Sequence, residues 1–495
     1  MFFNSVEYAI FFTLVFFVFH LLPAKIRPIW LLVASYFFYA NWNIKYTLLI
    51  FFVTVVTFVS AILISKLKCK LRLKQNLTKR NLRLSKTVLI ITMVLCFGLL
   101  IYYKYANFLL RNINFIIGKI NSKTFSTLDI ILPVGISFYI FQAVGYVIDV
   151  YNGKTKVEKN ILIYSLFVSY FPQLVAGPIE RSKNLIHQLK NPAKLTSERL
   201  REGLFLILFG LFQKVVIADR IANIVDPVFS DFCNYTGIEI SIAVLLFGIQ
   251  IYCDFAGYSN IAIGSSRLLG VDLMLNFNAP YLASSVVDFW IRWHISLTSW
   301  FTDYLYIPLG GNRKGRLRKY INTLIVFLVS GAWHGASWNF VFWGAINGIM
   351  NIISSIRKEK KVKYNYSIFD KVANIVGTFI LIDFSWLFFR AESLSNAFAM
   401  IRKSVGYIGV GPFLRGDSLD KVFGNASNLL LIIVVVSILI CFDVIQNKKK
   451  GLYEFIGKQK IIYRWIIYLT LISFIVLFGA YGEEYEQVNF IYFQF

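Results

Sequence analysis

Hydrophobic residues in this chain come in long continuous runs, separated by short polar stretches. The runs are Ile10–Leu22, Tyr46–Ile64, Thr87–Tyr103, Gly203–Phe212 with its flanks, Ile240–Ile251, Asn374–Phe389 (interrupted by Asp383), Leu429–Phe442 and Trp465–Ala480. A bilayer core takes about 20 mostly apolar residues per helix, and these runs with their flanks approach that length. The pattern predicts an all-α polytopic membrane protein with roughly 12 crossings, several of them short or interrupted. A β-barrel would alternate apolar and polar residues over about 10 positions, and these runs do not alternate. No basic residue precedes the first run and no small-residue cleavage site follows it, so it is expected to stay as an anchor.

Composition agrees with the pattern: 57% of the 495 residues are hydrophobic and 17% are aromatic. The formal net charge of +25 raises the question of nucleic acid, but its distribution excludes that. Lys66–Lys86 holds nine Lys or Arg and no acid, and Arg181–Arg201, Arg313–Lys319, Arg357–Lys363 and Lys448–Arg464 are further basic stretches between apolar runs. Short basic loops of this kind mark the cytoplasmic side. The charge therefore sets orientation, with some contact to anionic lipid head groups. Lys25 and Arg27 place the first loop inside and hence the N-terminus outside. The last helix leaves the inner side near Arg464, so the acidic Glu483-Glu-Tyr-Glu486 tail also falls outside. An even number of crossings follows. Five scattered cysteines show no CxxC spacing and suggest neither a disulfide framework nor a metal knuckle. One integral membrane domain is expected over residues 1–495, ending in a final helix and an extracytoplasmic tail over 461–495.

Two of the four histidines lie in Trp-rich apolar segments. Hydrocarbon gains nothing from an imidazole, so histidines at membrane depth point to chemistry or ion pathways. Ser284–Ile307 reads as one amphipathic helix that ends at the turn Pro308-Leu-Gly-Gly311. At about 100° per residue, Asp288, Arg292, Ser296, Ser299 and Asp303 form one stripe, with Asp288 and Arg292 spaced to pair. His294 projects to the opposite face among Trp290, Leu297, Phe301 and Leu305, with Thr298 the polar neighbour. A histidine merely hydrogen-bonded in a packed core stays open as the alternative. So does a solvated, non-catalytic role for Arg292 and Asp303.

Ile321–Ile356 carries no formal charge, and basic residues flank it on both sides. Such a stretch leaves and returns to the same face, as two short crossings or a re-entrant hairpin. Gly331, Gly335, Gly344 and Gly348 allow close helix contact or a break. His334 falls near the middle, at bilayer depth or at the floor of an outer cavity. Ser337, Trp338 and Asn339 are the local groups able to satisfy it.

Metal binding takes three or four ligands, and no His/Cys/Asp cluster accompanies either histidine. A serine hydrolase would show a G-x-S-x-G elbow, which is missing. Acyl transfer fits better. A neutral imidazole takes the proton of an acceptor hydroxyl as it attacks a thioester, which contributes about 10²–10⁴-fold. Burial keeps such an imidazole neutral unless a carboxylate sits beside it.

Asp288-Phe-Trp-Ile-Arg-Trp-His-Ile-Ser-Leu-Thr-Ser-Trp-Phe-Thr-Asp-Tyr-Leu-Tyr-Ile-Pro-Leu-Gly-Gly311 and Ser330-Gly-Ala-Trp-His-Gly-Ala-Ser-Trp338 strongly resemble the membrane-bound O-acyltransferase family. The nearer branch is that of the alginate and peptidoglycan O-acetyltransferase membrane subunits. Phe171-Pro-Gln-Leu-Val-Ala-Gly-Pro-Ile-Glu-Arg181, Tyr252-Cys-Asp-Phe-Ala-Gly-Tyr258 and Phe384-Ser-Trp-Leu-Phe-Phe-Arg390 support it and are taken as structural. The resemblance implies a ring of helices with re-entrant or interfacial segments around a central cavity. It places His334 at the family's catalytic position and His294 as its partner on the donor side, positioning the thioester.

The chain ends Phe490-Ile-Tyr-Phe-Gln-Phe495. This resembles the tail of the small membrane peptide that works with the teichoic-acid D-alanylation acyltransferase, whose tyrosine looks like an acyl carrier. Tyr492 is the matching residue. A phenol needs a base to become nucleophilic, and His334 is the expected base; an aromatic tail anchored at the interface is the plainer alternative. The expected activity is O-acylation of a cell-envelope or extracellular polysaccharide at the bacterial cytoplasmic (inner) membrane. The expected donor is a cytoplasmic thioester, acetyl-CoA or another acyl thioester, with no bound cofactor, and a secreted or membrane-tethered transferase completes the transfer. Teichoic-acid D-alanyl transfer, or transport of acyl groups or polysaccharide precursors without chemistry, are the other readings. A pure scaffold is the weakest.

Overall fold

In the computed structural model the chain is helical, with no strand among the described residues, which are 1–73, 79–119, 125–175, 177–360, 367–449, 451–481 and 490–491. Continuous apolar runs demand this, because a helix satisfies its own backbone donors and acceptors where no water can. Among the described residues, seven helices are long and apolar enough to cross a membrane, and Val6–Leu21 is a shorter apolar helix. The protein is a multi-pass membrane protein. Seven is fewer than the roughly 12 crossings expected, and the difference lies in short or interrupted elements. The run Ile10–Leu22 falls in a helix of 16 residues, below the length of about 20 that a full crossing takes, and Gly203–Phe212 runs into a π-helical segment, Phe212–Ala218, that interrupts the helical stretch.

The chain forms two compact units, Met1–Leu204 with Ala262–Met274, and Phe205–Ile261 with Leu275–Phe495. The first is built from α1 (Val6–Leu21), α2 (Arg27–Ala40), α3 (Ile44–Leu73), α4 (Lys79–Leu100), α5 (Ala106–Ile117), α6 (Ile136–Asn152), α7 (Ile161–Ser169), α8 (Phe171–Leu174) and α9 (Ser182–Lys190). Small polar groups join its apolar helices: Thr92 donates to Ser60 at 2.7 Å and Tyr164 to Thr57 at 2.8 Å. Hydrogen bonds of this kind add to van der Waals packing where lipid gives no hydrophobic driving force between helices. α10 (Ser197–Leu211) and α12 (Gly237–Leu268) give residues to both units.

The second unit holds α11 (Asp219–Ser230), α13 (Val286–Arg292), α14 (Ile295–Phe301), α15 (Arg316–His334), α16 (Trp338–Lys360) and α17 (Ile368–Arg390). It continues with α18 (Leu394–Gly406), α19 (Val410–Arg415), α20 (Asp417–Phe423), α21 (Ala426–Lys449), α22 (Leu452–Gly457) and α23 (Ile461–Phe478). The uncharged stretch Ile321–Ile356 is a helical hairpin, α15 and α16 joined at residues 335–337. A methyl group on Gly331 would overlap the Phe340 carbonyl, and one on Gly344 the Phe327 carbonyl. These two glycines let the helices touch backbone to backbone, one of the two outcomes their spacing allows.

Candidate active site

Ser284–Ile307 is not the single helix that the periodicity predicts. α13 stops at Arg292, and His294 takes a left-handed backbone with φ 44° before α14 begins at Ile295. The segment then continues as a π-helical turn, Thr302–Tyr306. Left-handed backbone costs a residue with a side chain about 1–2 kcal/mol, so neighbouring contacts must hold it. Asn276 supplies them. Its backbone carbonyl accepts the Ile295 N–H at 2.9 Å. Its Oδ1 accepts the Ser296 hydroxyl at 2.9 Å and lies 3.1 Å from His294 Nδ1. Its amide nitrogen donates to Ser259 at 3.2 Å.

This arrangement sets the chemistry of His294. Because the Asn276 oxygen accepts, Nδ1 carries the proton and Nε2 keeps its lone pair. His294 lies between two short helices, outside the spanning ones, and burial lowers its pKa well below the ordinary imidazole value. It is a neutral acceptor, not a cation. The expected stripe survives in part: Arg292 and Asp288 pair at 2.9 Å on α13. Ser296, placed on that stripe by the projection, is instead fully buried against Asn276. The break in the helix turns it inward.

His334 is reached differently. It is the last residue of α15, buried at the tip of the hairpin with Trp333, Trp343 and Phe389 rings at 5.0, 5.1 and 5.4 Å. Trp343 stacks on Trp386 at 5.6 Å, and Trp386 meets Trp293 at 5.0 Å. Of the expected local polar groups, Asn339 donates to the Ala391 carbonyl at 2.6 Å and Trp338 is exposed.

Both histidines line one cavity of about 560 Å³. Its wall includes Lys319, Thr323, Val326, Ser330 and His334, one face of α15 at helical spacing. At 1.5 Å per residue, Lys319 and His334 stand about 22 Å apart along that helix. The cleft therefore connects a polar end, with Lys319, Ser355, Lys358 and Glu359, to a deep end that holds the two imidazoles. Trp290, Leu297, Phe301 and Thr298 line it too, as neighbours of His294.

Tyr492 lies outside the described residues. The two residues before it are described and buried: Phe490 is 0% exposed and Ile491 3%. The Phe490 ring packs 5.7 Å from Phe255, whose edge meets the His294 ring at 4.7 Å. Neither Asn276 nor this docking of the tail is marked by local pattern. Asn276 acts on a histidine 18 positions away.

The family model of the membrane-bound O-acyltransferases matches residues 157–357, a span that contains both histidines. The probable alginate O-acetylase AlgI of Azotobacter vinelandii is 38% identical over 383 residues, covering 77% of this chain and 73% of that protein. The chain belongs to the membrane-bound O-acyltransferase family. It is an acyltransferase. The peptidoglycan O-acetyltransferase of Helicobacter pylori is 36% identical over 408 residues, 77% of this chain and 74% of that protein. A more distant family relative, the teichoic acid D-alanyltransferase of Streptococcus thermophilus, is 28% identical over 263 residues, 50% of this chain and 63% of its own length.

Proposed function

We propose that this acyltransferase takes an acetyl group from a cytoplasmic thioester, acetyl-CoA, and passes it across a bacterial cytoplasmic membrane for O-acetylation of a cell-envelope polysaccharide. The observation that carries this is the single cleft lined by His294 and His334, with the C-terminal tail buried beside His294. The polar end of the cleft is built from Lys319 and Lys358, which belong to the basic stretches assigned to the cytoplasm. A donor enters there. The relatives named for alginate and peptidoglycan O-acetylation support the acetyl donor and the polysaccharide acceptor.

In the proposed step the Tyr492 hydroxyl attacks the thioester carbonyl. The new C–O bond forms as the C–S bond breaks, and His334 carries the phenol proton to the departing thiolate. His294 contributes as an acceptor. With Nδ1 committed to Asn276, its Nε2 has no proton with which to polarise the thioester carbonyl, so it orients the phenol instead. Its contact through Phe255 with the tail supports that assignment over a donor-side role. A secreted or membrane-tethered partner transferase then removes the acetyl group from the tyrosine.

The test uses full-length protein in nanodiscs with [¹⁴C-acetyl]-CoA. Label is expected on the C-terminal peptide of the wild type and not on Tyr492→Phe. Label on the Phe variant would end the carrier role of Tyr492. No label anywhere, with acetyl-CoA intact, would overturn the acetyl-CoA reading and favour the carrier-protein thioester of a D-alanyl transferase.

A further inference from the structure

The second unit buries a cluster of charges that the transfer step does not use. Lys214 is 0% exposed, and its Nζ lies 2.7 Å from Asp219 Oδ1 and 2.7 Å from Asp254 Oδ1. Lys214 stands in a π-helical segment, Phe212–Ala218, that interrupts the helical run after α10. Such segments recur at functional sites. One ammonium faces two carboxylates, and a buried carboxylate takes further donors on its remaining lone pairs. Asp254 finds one in the tail. Its second oxygen, Oδ2, accepts the backbone N–H of Ile491 at 2.8 Å.

Two more contacts fix the same chain segment. The Phe490 ring lies 4.4 Å from that of Tyr258, which in turn lies 5.6 Å from Lys214 Nζ. At the start of the tail, just past α23, the Ala480 N–H donates to the Val215 carbonyl of the π-helical segment at 2.8 Å. The tail is thus held at Ala480 and again at Phe490 and Ile491, by groups that belong to one π turn and the face of α12 beside it.

We propose that Asp254, clamped by Lys214, is a positioning residue: a main-chain hook that sets the register of the tail and presents Tyr492, the next residue, to the histidines. This rests on the carrier reading above. Because the hook grips an amide, its strength depends on the N–H at 491, while the buried Ile491 side chain adds packing that a valine largely keeps. A charge-assisted bond of this kind is worth about 10- to 100-fold in a docking equilibrium.

Full-length protein in nanodiscs would be compared as wild type, Ile491→Val and Ile491→Pro. The last removes the donor and leaves Lys214, Asp219 and Asp254 untouched. Two readouts are taken: single-turnover acetylation of Tyr492 across acetyl-CoA concentrations, and hydrogen exchange of the C-terminal peptide. The expected result for Ile491→Pro is a maximal acetylation rate about 10- to 100-fold lower with the half-saturating acetyl-CoA concentration unchanged within about twofold, and tail exchange at least about 10-fold faster. Ile491→Val should match wild type in both. A proline variant with wild-type rate and protection overturns the hook, and so does a slow proline variant whose tail exchange is unchanged. If the wild type never labels Tyr492 but proline still releases the tail, the hook stands and the carrier reading falls.

Discussion

His334 and His294 line the same cleft from opposite kinds of backbone. His334 ends a 19-residue helix and is placed by the regularity of that helix and its glycine-mediated contact with α16. His294 sits where regularity fails, between two seven-residue helices, in a left-handed conformation held by Asn276. Surroundings differ as well. The rings of Trp333, Trp343 and Phe389 surround His334, and His294 has Asn276 on Nδ1 and the Phe255 ring, on which Phe490 of the tail packs. The contrast suggests a division of labour. A ring fixed by a hydrogen bond has a defined tautomer and holds a partner; a ring at a helix end can serve as the proton carrier. Strain is tolerated at functional sites when the surroundings over-determine it.

The largest effect is expected from His334→Ala. Loss of a general base should slow single-turnover acetylation by about 10²–10⁴-fold. Because the side chain opens onto an existing cleft at a helix end, the protein should keep its helical content and its elution position in detergent. Acetylation within about tenfold of wild type would undo the division of labour and move the proton transfer elsewhere.

Asn276→Asp should have a smaller effect and sharpen the comparison through pH. In the wild type, burial holds the His294 pKa below its ordinary value, so His294 stays neutral at and above that ordinary value and its own titration removes no rate between about pH 8 and pH 7. A carboxylate at 276 favours the imidazolium and raises the pKa. The sign follows: the variant loses its acceptor Nε2 as pH falls through the raised value. Its rate should drop about tenfold for each pH unit below that value, and recover at high pH. A variant profile that matches the wild type's would mean that Nε2 of His294 takes no part in orienting the phenol.

How much of this was legible follows the same contrast. Continuous apolar runs carry the helical membrane class by themselves, because backbone satisfaction in lipid leaves few options. The charge-free stretch Ile321–Ile356, with its glycines, carries the hairpin and the burial of His334 at its tip. The break at His294 carries no local mark: neither Gly nor Pro stands at 293 or 294, and a 3.6-residue projection presumes an unbroken helix. That presumption put Ser296 on a solvated face when it is buried. Asn276 and Asp254 act across loops and helices, through contacts that no spacing rule contains. Phe490 looks like an interfacial anchor until its packing on Tyr258 is seen.

The smallest expected effect isolates the backbone of His294 from its ring. Substituting Ala or Gly removes the imidazole in both cases, so both variants lose the same contact with Asn276 Oδ1 and should be equally slow. They differ in conformation alone. Alanine must still adopt φ near 44°, at a cost of about 1–2 kcal/mol, while glycine enters that region freely. Glycine loses more chain entropy on folding, which returns part of the difference, about 0.5–1 kcal/mol. His294→Gly should therefore be the more stable of the two by about 1 kcal/mol, read as a shift in the denaturation midpoint of detergent-solubilised protein. An alanine variant that is the more stable by about 1 kcal/mol would mean that with the ring gone the segment relaxes into a continuous helix, where alanine is favoured over glycine. The left-handed turn would then be imposed by the His294–Asn276 bond itself. A glycine variant that is clearly more stable would show that the turn persists without that bond, set by the Asn276 carbonyl and Ser296.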